Sequence, residues 1–203
     1  MRTETLWLNS PWNNAEEVRQ QLNFAEKIQL HDVTLRDGEQ TSGVSFVPHE
    51  KLMIARLLLE DLKADRVEVA SARVSEGEFD AVKMICDWAA RRNLLHKVEV
   101  LGFVDGHTSV DWIQSTGCRV INLLCKGSLK HCTHQLKKTP EEHIEDIINV
   151  VHYADELDIA VNVYLEDWSN GMKDSPEYVF QLMDGLKATS IKRYMLPDTL
   201  GIL

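Results

Sequence analysis

The sequence has no dense basic run, no long apolar segment and no secretory leader, and each absence excludes a class of protein. Its 22 basic and 32 acidic residues give a formal net charge of -10, which argues against nucleic acid as a partner. Charged residues interrupt the longest apolar runs within about ten residues, so no membrane span fits. The first ten residues contain Arg2 and Glu4 and lack the apolar core of a signal peptide.

Cysteine and glycine motifs are missing as well. The 4 cysteines form no C-x-x-C pair, so we expect reduced thiols in a cytoplasmic protein. Neither G-x-G-x-x-G nor G-x-x-x-x-G-K-[ST] follows the first predicted strand, which disfavours a nucleotide-binding open sheet. The one Asn-Gly pair, Asn170-Gly171, is expected to join a strand to a helix rather than to close a hairpin.

What the sequence does contain is a regular alternation of strand and helix patterns. Thr139-Pro140-Glu141-Glu142 marks one helix start most clearly, with a threonine cap, a proline at the first position and a capping box. Six strands are predicted, over residues 28–32, 66–71, 97–104, 119–125, 159–165 and 191–196. This alternation predicts parallel strands joined by right-handed crossovers, in either an open doubly wound sheet or a (β/α)8 barrel.

Polar residues end several of the strands, which favours the barrel. A full barrel needs about 250 residues, so we predict an α/β fold that is a (β/α)8 TIM barrel truncated to about six βα units. Residues 1–27 would form an N-terminal arm with a short helix capped by Asn13 or Asn14. Residues 28–203 would form the incomplete TIM-barrel catalytic domain.

The strand-end residues are expected to converge on one mouth of the barrel. Asp37 is a hard oxygen ligand suited to a divalent cation, and Arg36 is a planar cation that can stabilise a developing oxyanion. Glu166 can take a proton from a carbon acid. Alternatively, Arg36, Glu68 and Asp37 would form an ion-pair network that only braces the strands. The strand-end set comprises Arg36, Asp37, Gln40, Glu68, Glu166, Asp167, Asp198 and Thr199.

Several of these residues lie in segments that resemble a known family. The stretch Thr34-Leu35-Arg36-Asp37-Gly38-Glu39-Gln40 looks like the first signature of the isopropylmalate, citramalate and homocitrate synthases, which are metallolyase-type TIM barrels. The resemblance implies a Claisen-type condensation of acetyl-CoA with a 2-oxo acid, assisted by Mg²⁺, Mn²⁺ or Zn²⁺ as a Lewis acid. Further matching segments follow in order: Val67-Glu68-Val69, Lys137-Lys138-Thr139-Pro140-Glu141-Glu142, Leu165-Glu166-Asp167 and Leu196-Pro197-Asp198-Thr199-Leu200-Gly201.

The same resemblance implies a role for each matching residue. Asp37 would be a metal ligand, Arg36 would steady the oxygen of the electrophilic carbonyl, and Glu68 would support that arginine. Glu166 would act as acid and base on the acetyl group. The substrate-binding residues implied by position are Thr199, Gln40 and His131. The neighbouring pair His131 and His134, with Cys132 between them, is a weaker alternative for metal binding.

The leading expectation is a cytoplasmic, homodimeric enzyme of leucine biosynthesis similar to 2-isopropylmalate synthase. Citramalate synthase, homocitrate synthase and an acyl-CoA lyase of the same superfamily are alternatives, and Asp37 in place of glutamate leans away from homocitrate. Isopropylmalate synthases commonly read Gly-Phe-Pro where this chain reads Ala70-Ser71-Ala72, which leaves the 2-oxo acid open. The family's His-x-His metal pair has no match, so the chain alone is expected to be inactive. A non-catalytic partner of a full-length relative is the non-enzyme alternative.

Overall fold

The computed structural model describes residues 15–20 and 25–202, and its centre is a curled sheet of six parallel strands. The order of the strands in the sheet follows their order in the chain, from β1 to β6. Each described strand therefore pairs with the strand that follows it, as in a barrel wall. The strands are His31–Asp32 (β1), Arg66–Ser71 (β2), Val98–Phe103 (β3), Val120–Lys126 (β4), Ala160–Glu166 (β5) and Arg193–Met195 (β6).

Helices connect the strands and cover the sheet. The connecting helices begin with a short helical turn before β1 and include two consecutive helices between β5 and β6. The six-unit truncated TIM barrel that the sequence predicts is therefore confirmed. The helices are Glu16–Arg19 (α1), Pro48–Arg56 (α2), Glu76–Arg91 (α3), Thr108–Thr116 (α4), Pro140–Glu156 (α5), Trp168–Asp174 (α6) and Pro176–Leu186 (α7).

The core lies between the sheet and the inner faces of the helices. Helix α3 buries Val82, Ile85 and Ala89, which lie three and four residues apart on one face. Full burial of a valine or isoleucine side chain stabilises the fold by about 1.5–3 kcal/mol. Helix α5 begins as predicted, because the Thr139 hydroxyl accepts from the Glu142 backbone N–H and the Glu142 carboxylate accepts from the Thr139 N–H. Local signals therefore place both helices correctly.

Two predicted patterns are wrong in detail. The first strand was expected from residue 28, but β1 begins at His31 because the Asp65 carboxylate takes the N–H of Leu30 at 2.8 Å and ends the strand pairing. Leu62 follows Leu52, Ala55 and Leu59 at spacings of three and four residues, which predicts a core-facing side chain, but it is 71% exposed. Helix α2 passes into a π-helical turn at Leu57–Asp61, and this wider turn rotates Leu62 away from the core.

Two connections are more ordered than expected. The predicted loop after β4 contains a π-helical turn, His131–Leu136. The Asn170-Gly171 pair lies inside α6 and not in a loop before a helix. Asn13 and Asn14, the predicted caps of the first helix, lie outside the described residues. Within the described part of the chain, no helix is long and apolar enough to cross a membrane.

Candidate active site

The loop that follows β1 places Arg36 against β2. The Nε of Arg36 donates to Oε1 of Glu68 at 2.5 Å, and Nη1 donates to Oδ1 of Asp37 at 2.7 Å. Glu68 is fully buried, whereas the Asp37 side chain is 60% exposed. The guanidinium therefore lies between a buried carboxylate that holds it and an exposed carboxylate at the barrel mouth.

Burial and ion pairing act in opposite directions on the pKa values of Arg36 and Glu68. Burial of the Arg36 guanidinium opposes its charge, but Glu68 and Asp37 outweigh burial and raise the pKa of Arg36 above its ordinary value. Burial raises the pKa of Glu68, and Arg36 together with the Asn122 amide opposes that rise. A charge-assisted bond of this kind is about twice as strong as a neutral one. Arg36 is therefore a fixed cation with a defined orientation.

A cleft of about 550 Å³ opens above this pair, at the carboxyl ends of the strands. Six of the residues predicted from the sequence line it: Arg36, Asp37, Gln40, Glu166, Asp198 and Thr199. Glu68 lies next to the cleft because it is bonded to Arg36. Another part of the wall is largely apolar and is formed by Leu101, Phe103, Leu124 and Tyr164.

Glu166 has a partner that sequence reasoning missed. Its carboxylate accepts a short bond from the ammonium of Lys126, the last residue of the neighbouring strand β4. The two residues are register partners in the parallel pair β4–β5. Lys126 is one of four nearby lysines in the sequence, a grouping that predicts only a solvated surface, but its side chain is 16% exposed. The register of the two strands, which no local motif specifies, creates the pair.

His131 lies in a different cavity from the other predicted residues. This neighbouring cavity has a volume of about 520 Å³ and is lined by residues that include Ser128, His131 and Asp167. The His131 Nε2 lies 3.5 Å from Oδ2 of Asp167, and the Ser128 hydroxyl donates to the same oxygen at 2.7 Å. Thr199 lines both cavities. His131 therefore lies outside the cleft, in a cavity that shares the wall residue Thr199 with it.

Asp167 lines the neighbouring cavity and is hydrogen-bonded to Thr199, which both cavities share. It is 5% exposed and adopts a left-handed backbone with φ of 64°, and its N–H donates to the Thr199 hydroxyl at 3.0 Å. Burial raises the pKa of Asp167, but hydrogen bonds from Ser128 and Asn170 outweigh burial and hold the pKa below its ordinary value. The carboxylate is therefore ionised and fully engaged inside the protein.

The loop that carries Arg36 is held from below by a buried lysine. Lys51 is 1% exposed, and its ammonium lies 2.5 Å from a Glu39 oxygen and 2.6 Å from a Glu78 oxygen. It also donates to the backbone carbonyl of Leu35 at 3.1 Å. Lys51 falls within the predicted α2 pattern, where nothing in the sequence distinguishes it from a surface lysine.

The described residues do not form a metal centre by themselves. Asp37 supplies one exposed carboxylate, and residues 15–20 and 25–202 contain no group of three or more histidine, cysteine or acidic side chains placed to hold a metal ion. Mg²⁺ takes six oxygen ligands in near-octahedral geometry, so Asp37 would supply one of them and water, substrate or other residues would supply the rest. His131 and His134 form no such group either. Asp37 stays a candidate metal ligand.

A half-barrel of parallel strands with charged groups at their carboxyl ends defines a domain of the TIM-barrel enzyme class. The chain belongs to the HMGL-like family, whose model matches residues 27–203. The crystal structure of hydroxymethylglutaryl-CoA lyase from Pseudomonas aeruginosa has the same fold, with a TM-score of 0.63 and 18% identity. It is matched over 90% of this chain and 61% of its own.

Three curated relatives are synthases. A 2-isopropylmalate synthase of Saccharolobus solfataricus is 33% identical over 88% of this chain and 44% of its own length. The (R)-citramalate synthase of Methanocaldococcus jannaschii is 31% identical over 87% of this chain and 34% of its own. A homocitrate synthase of Methanopyrus kandleri is 32% identical over 97% of this chain and 47% of its own. The chain thus spans less than half the length of these relatives.

Proposed function

We propose that this chain forms the substrate-binding wall of an acetyl-CoA-dependent acyltransferase that condenses the acetyl group with a 2-oxo acid. The observation that carries this proposal is the Arg36–Glu68 pair, with Asp37, at the floor of the cleft. The names of the relatives, all condensing synthases, support the same reaction type. The proposal concerns the whole enzyme, of which this chain provides one part of the site.

The residues of the cleft suit that reaction. In the condensation, the acetyl methyl carbon bonds to the keto carbon of the acid, and negative charge develops on the keto oxygen. Arg36, held by Glu68, would bind that oxygen and stabilise the charge. Glu166, paired with Lys126, is the carboxylate proposed to take the proton from the acetyl group. Thr199 and Gln40 would bind the acid.

The apolar part of the wall supports a 2-oxo acid with an apolar side chain. Leu101, Phe103, Leu124 and Tyr164 face the cleft, and an apolar group gains about 25 cal/mol per Å² when it leaves water for such a surface. A second carboxylate, as in the acid that yields homocitrate, would lose its hydration against this wall. We therefore propose a 2-isopropylmalate synthase-like activity. Citramalate synthase is the second candidate, because Phe103 and Tyr164 are large residues that suit a smaller acid.

Binding and turnover can be measured separately. Calorimetric titration of the chain with 3-methyl-2-oxobutanoate, pyruvate and 2-oxoglutarate should show binding of the two apolar acids and little binding of the dicarboxylate. Release of the CoA thiol from acetyl-CoA, in the presence of Mg²⁺ or Mn²⁺, measures turnover for the same acids. If the chain binds none of these acids, the proposed substrate class is wrong.

The Arg36→Lys substitution tests the role of the guanidinium. Lysine keeps the charge but loses the planar fork that bonds Glu68, Asp37 and a ligand together, so affinity for the favoured acid should fall about tenfold. Arg56→Lys is the matched control, because Arg56 is a half-exposed arginine paired only loosely with Glu60 at 3.8 Å. Equal affinity in the Arg36 variant and the control would contradict the proposal.

A further inference from the structure

Two glutamates lie side by side inside the barrel, and one asparagine lies between them. Glu68 on β2 and Glu99 on β3 are register partners on neighbouring strands, and both are fully buried. Like charges directly opposite each other in a sheet destabilise the pairing. The Nδ2 of Asn122, on β4, donates to Glu68 at 2.6 Å and to Glu99 at 2.9 Å. A single buried amide therefore bridges the two carboxylates.

The orientation of that amide is fixed from the other side. The Oδ1 of Asn122 accepts a hydrogen bond from Nδ2 of Asn162 at 2.8 Å, and Asn162 is its register partner on β5. A rotated amide would place its oxygen against two carboxylates and its NH₂ against another NH₂. Asn122 can therefore present only its donor to Glu68 and Glu99.

The two carboxylates differ in their other partners. Arg36 bonds Oε1 of Glu68 at 2.5 Å, and the bond from Asn122 goes to the other oxygen, Oε2. The Glu99 carboxylate has two guanidinium groups near it, Arg66 at 3.5 Å and Arg193 at 3.9 Å, and the His31 ring at 3.2 Å. Glu99 is thus compensated without Asn122, whereas Glu68 depends on one cation and one amide.

We propose that Asn122 is a positioning residue for Arg36. Asn122 acts indirectly, by holding the second oxygen of Glu68. With the amide in place, Oε2 of Glu68 is fixed toward β4 and Oε1 is directed toward the Nε of Arg36. Without it, Oε2 faces the Glu99 carboxylate, and repulsion turns the Glu68 carboxyl group away from Arg36. The consequence for substrate binding rests on the proposed function, but the effect on Arg36 does not.

The rate at which the Nε–H proton of Arg36 exchanges with solvent reports directly how firmly Glu68 holds Arg36. In protein labelled with ¹⁵N-arginine, the Arg36 signal is identified by its loss in Arg36→Lys, and its exchange with solvent is measured in Asn122→Leu. Leucine has a similar volume but no donor, so exchange should become about tenfold faster, as expected when a bond to a charged group is weakened. Affinity for the favoured 2-oxo acid should fall to a similar extent.

Controls separate positioning from general damage. Thr116→Val removes a different buried hydrogen bond, which the Thr116 hydroxyl donates to the Ile113 carbonyl at 2.7 Å. This variant should leave the exchange rate of the Arg36 Nε–H unchanged. If the leucine variant does not fold, Asn122→Ser takes its place. Serine retains one small donor, so the Arg36 exchange rate in this variant should lie above the wild-type rate, with an increase of less than about tenfold. Unchanged Arg36 exchange in the folded Asn122 variants would overturn the proposal. If the wild type binds no 2-oxo acid, the proposed function fails while the exchange result still decides the role of Asn122.

Discussion

His143 on α5 should make the stability of the protein depend on pH. The residue is 1% exposed, and its Nε2 accepts a hydrogen bond from the Lys126 backbone N–H at 3.1 Å. Only a neutral imidazole can accept this bond at Nε2. Burial lowers the pKa of His143 from 6.5 to about 4. Geometry and electrostatics therefore agree that the folded state holds this histidine neutral.

The sign and size of the effect follow from that pKa. Between pH 6.5 and about 4, the unfolded chain binds a proton at His143 that the folded chain does not, so stability falls as the pH falls. The free energy of unfolding should lose about 2 kcal/mol at about pH 5 and about 3 kcal/mol at about pH 4 from this residue. This stability is fully present above pH 6.5.

His143→Gln isolates the contribution, because glutamine keeps an acceptor oxygen but does not titrate. Urea unfolding of both proteins at about pH 7.5 and about pH 5 gives the free energy of unfolding under each condition. The wild type should lose about 2 kcal/mol more than the variant between these conditions. The same pH dependence in both proteins would refute the reasoning, as would an ordinary His143 pKa in a direct NMR titration.

Two further substitutions test the support of the cleft. Lys51→Met leaves Glu39 and Glu78 without their shared cation. The loss should cost about 3–5 kcal/mol of unfolding free energy and lower the melting temperature by about 10 °C. The control Lys187→Met, at an exposed pair with Asp184, should change the melting temperature little. Gly127→Ala would place a Cβ 2.5 Å from the Leu165 carbonyl oxygen. Because that atom is backbone, we expect a loss of about 1–3 kcal/mol in urea unfolding; a wild-type midpoint would contradict the close contact.

Local sequence signals predicted the parts of the fold that local chemistry determines. The capping box at Thr139 needs only four consecutive residues, and the structure shows both of its hydrogen bonds. The six strands were found because apolar runs and helical stripes alternate along the chain. Leu62 was misplaced because a π-helical turn changes the period of the helix, and no residue in the stretch signals that change.

The candidate site was predicted less completely. Resemblance to a family pointed to Arg36, Asp37 and Glu166, and the structure shows that all three line one cleft. Lys126 and Asn122 were missed because their importance comes from strand register. Each lies beside its partners only after neighbouring strands pair. A sequence read along one strand at a time cannot show which side chains meet across the sheet.

The wall between the two cavities is only one side chain thick at Thr199, whose hydroxyl is held by the Asp167 N–H. A molecule that displaces this hydroxyl from the cleft side removes the partner of a backbone group on the other side. The same hydrogen bond ties Thr199 to Asp167, which lines the neighbouring cavity. The two cavities therefore share one hydrogen-bonded contact, between the Asp167 backbone and the Thr199 side chain.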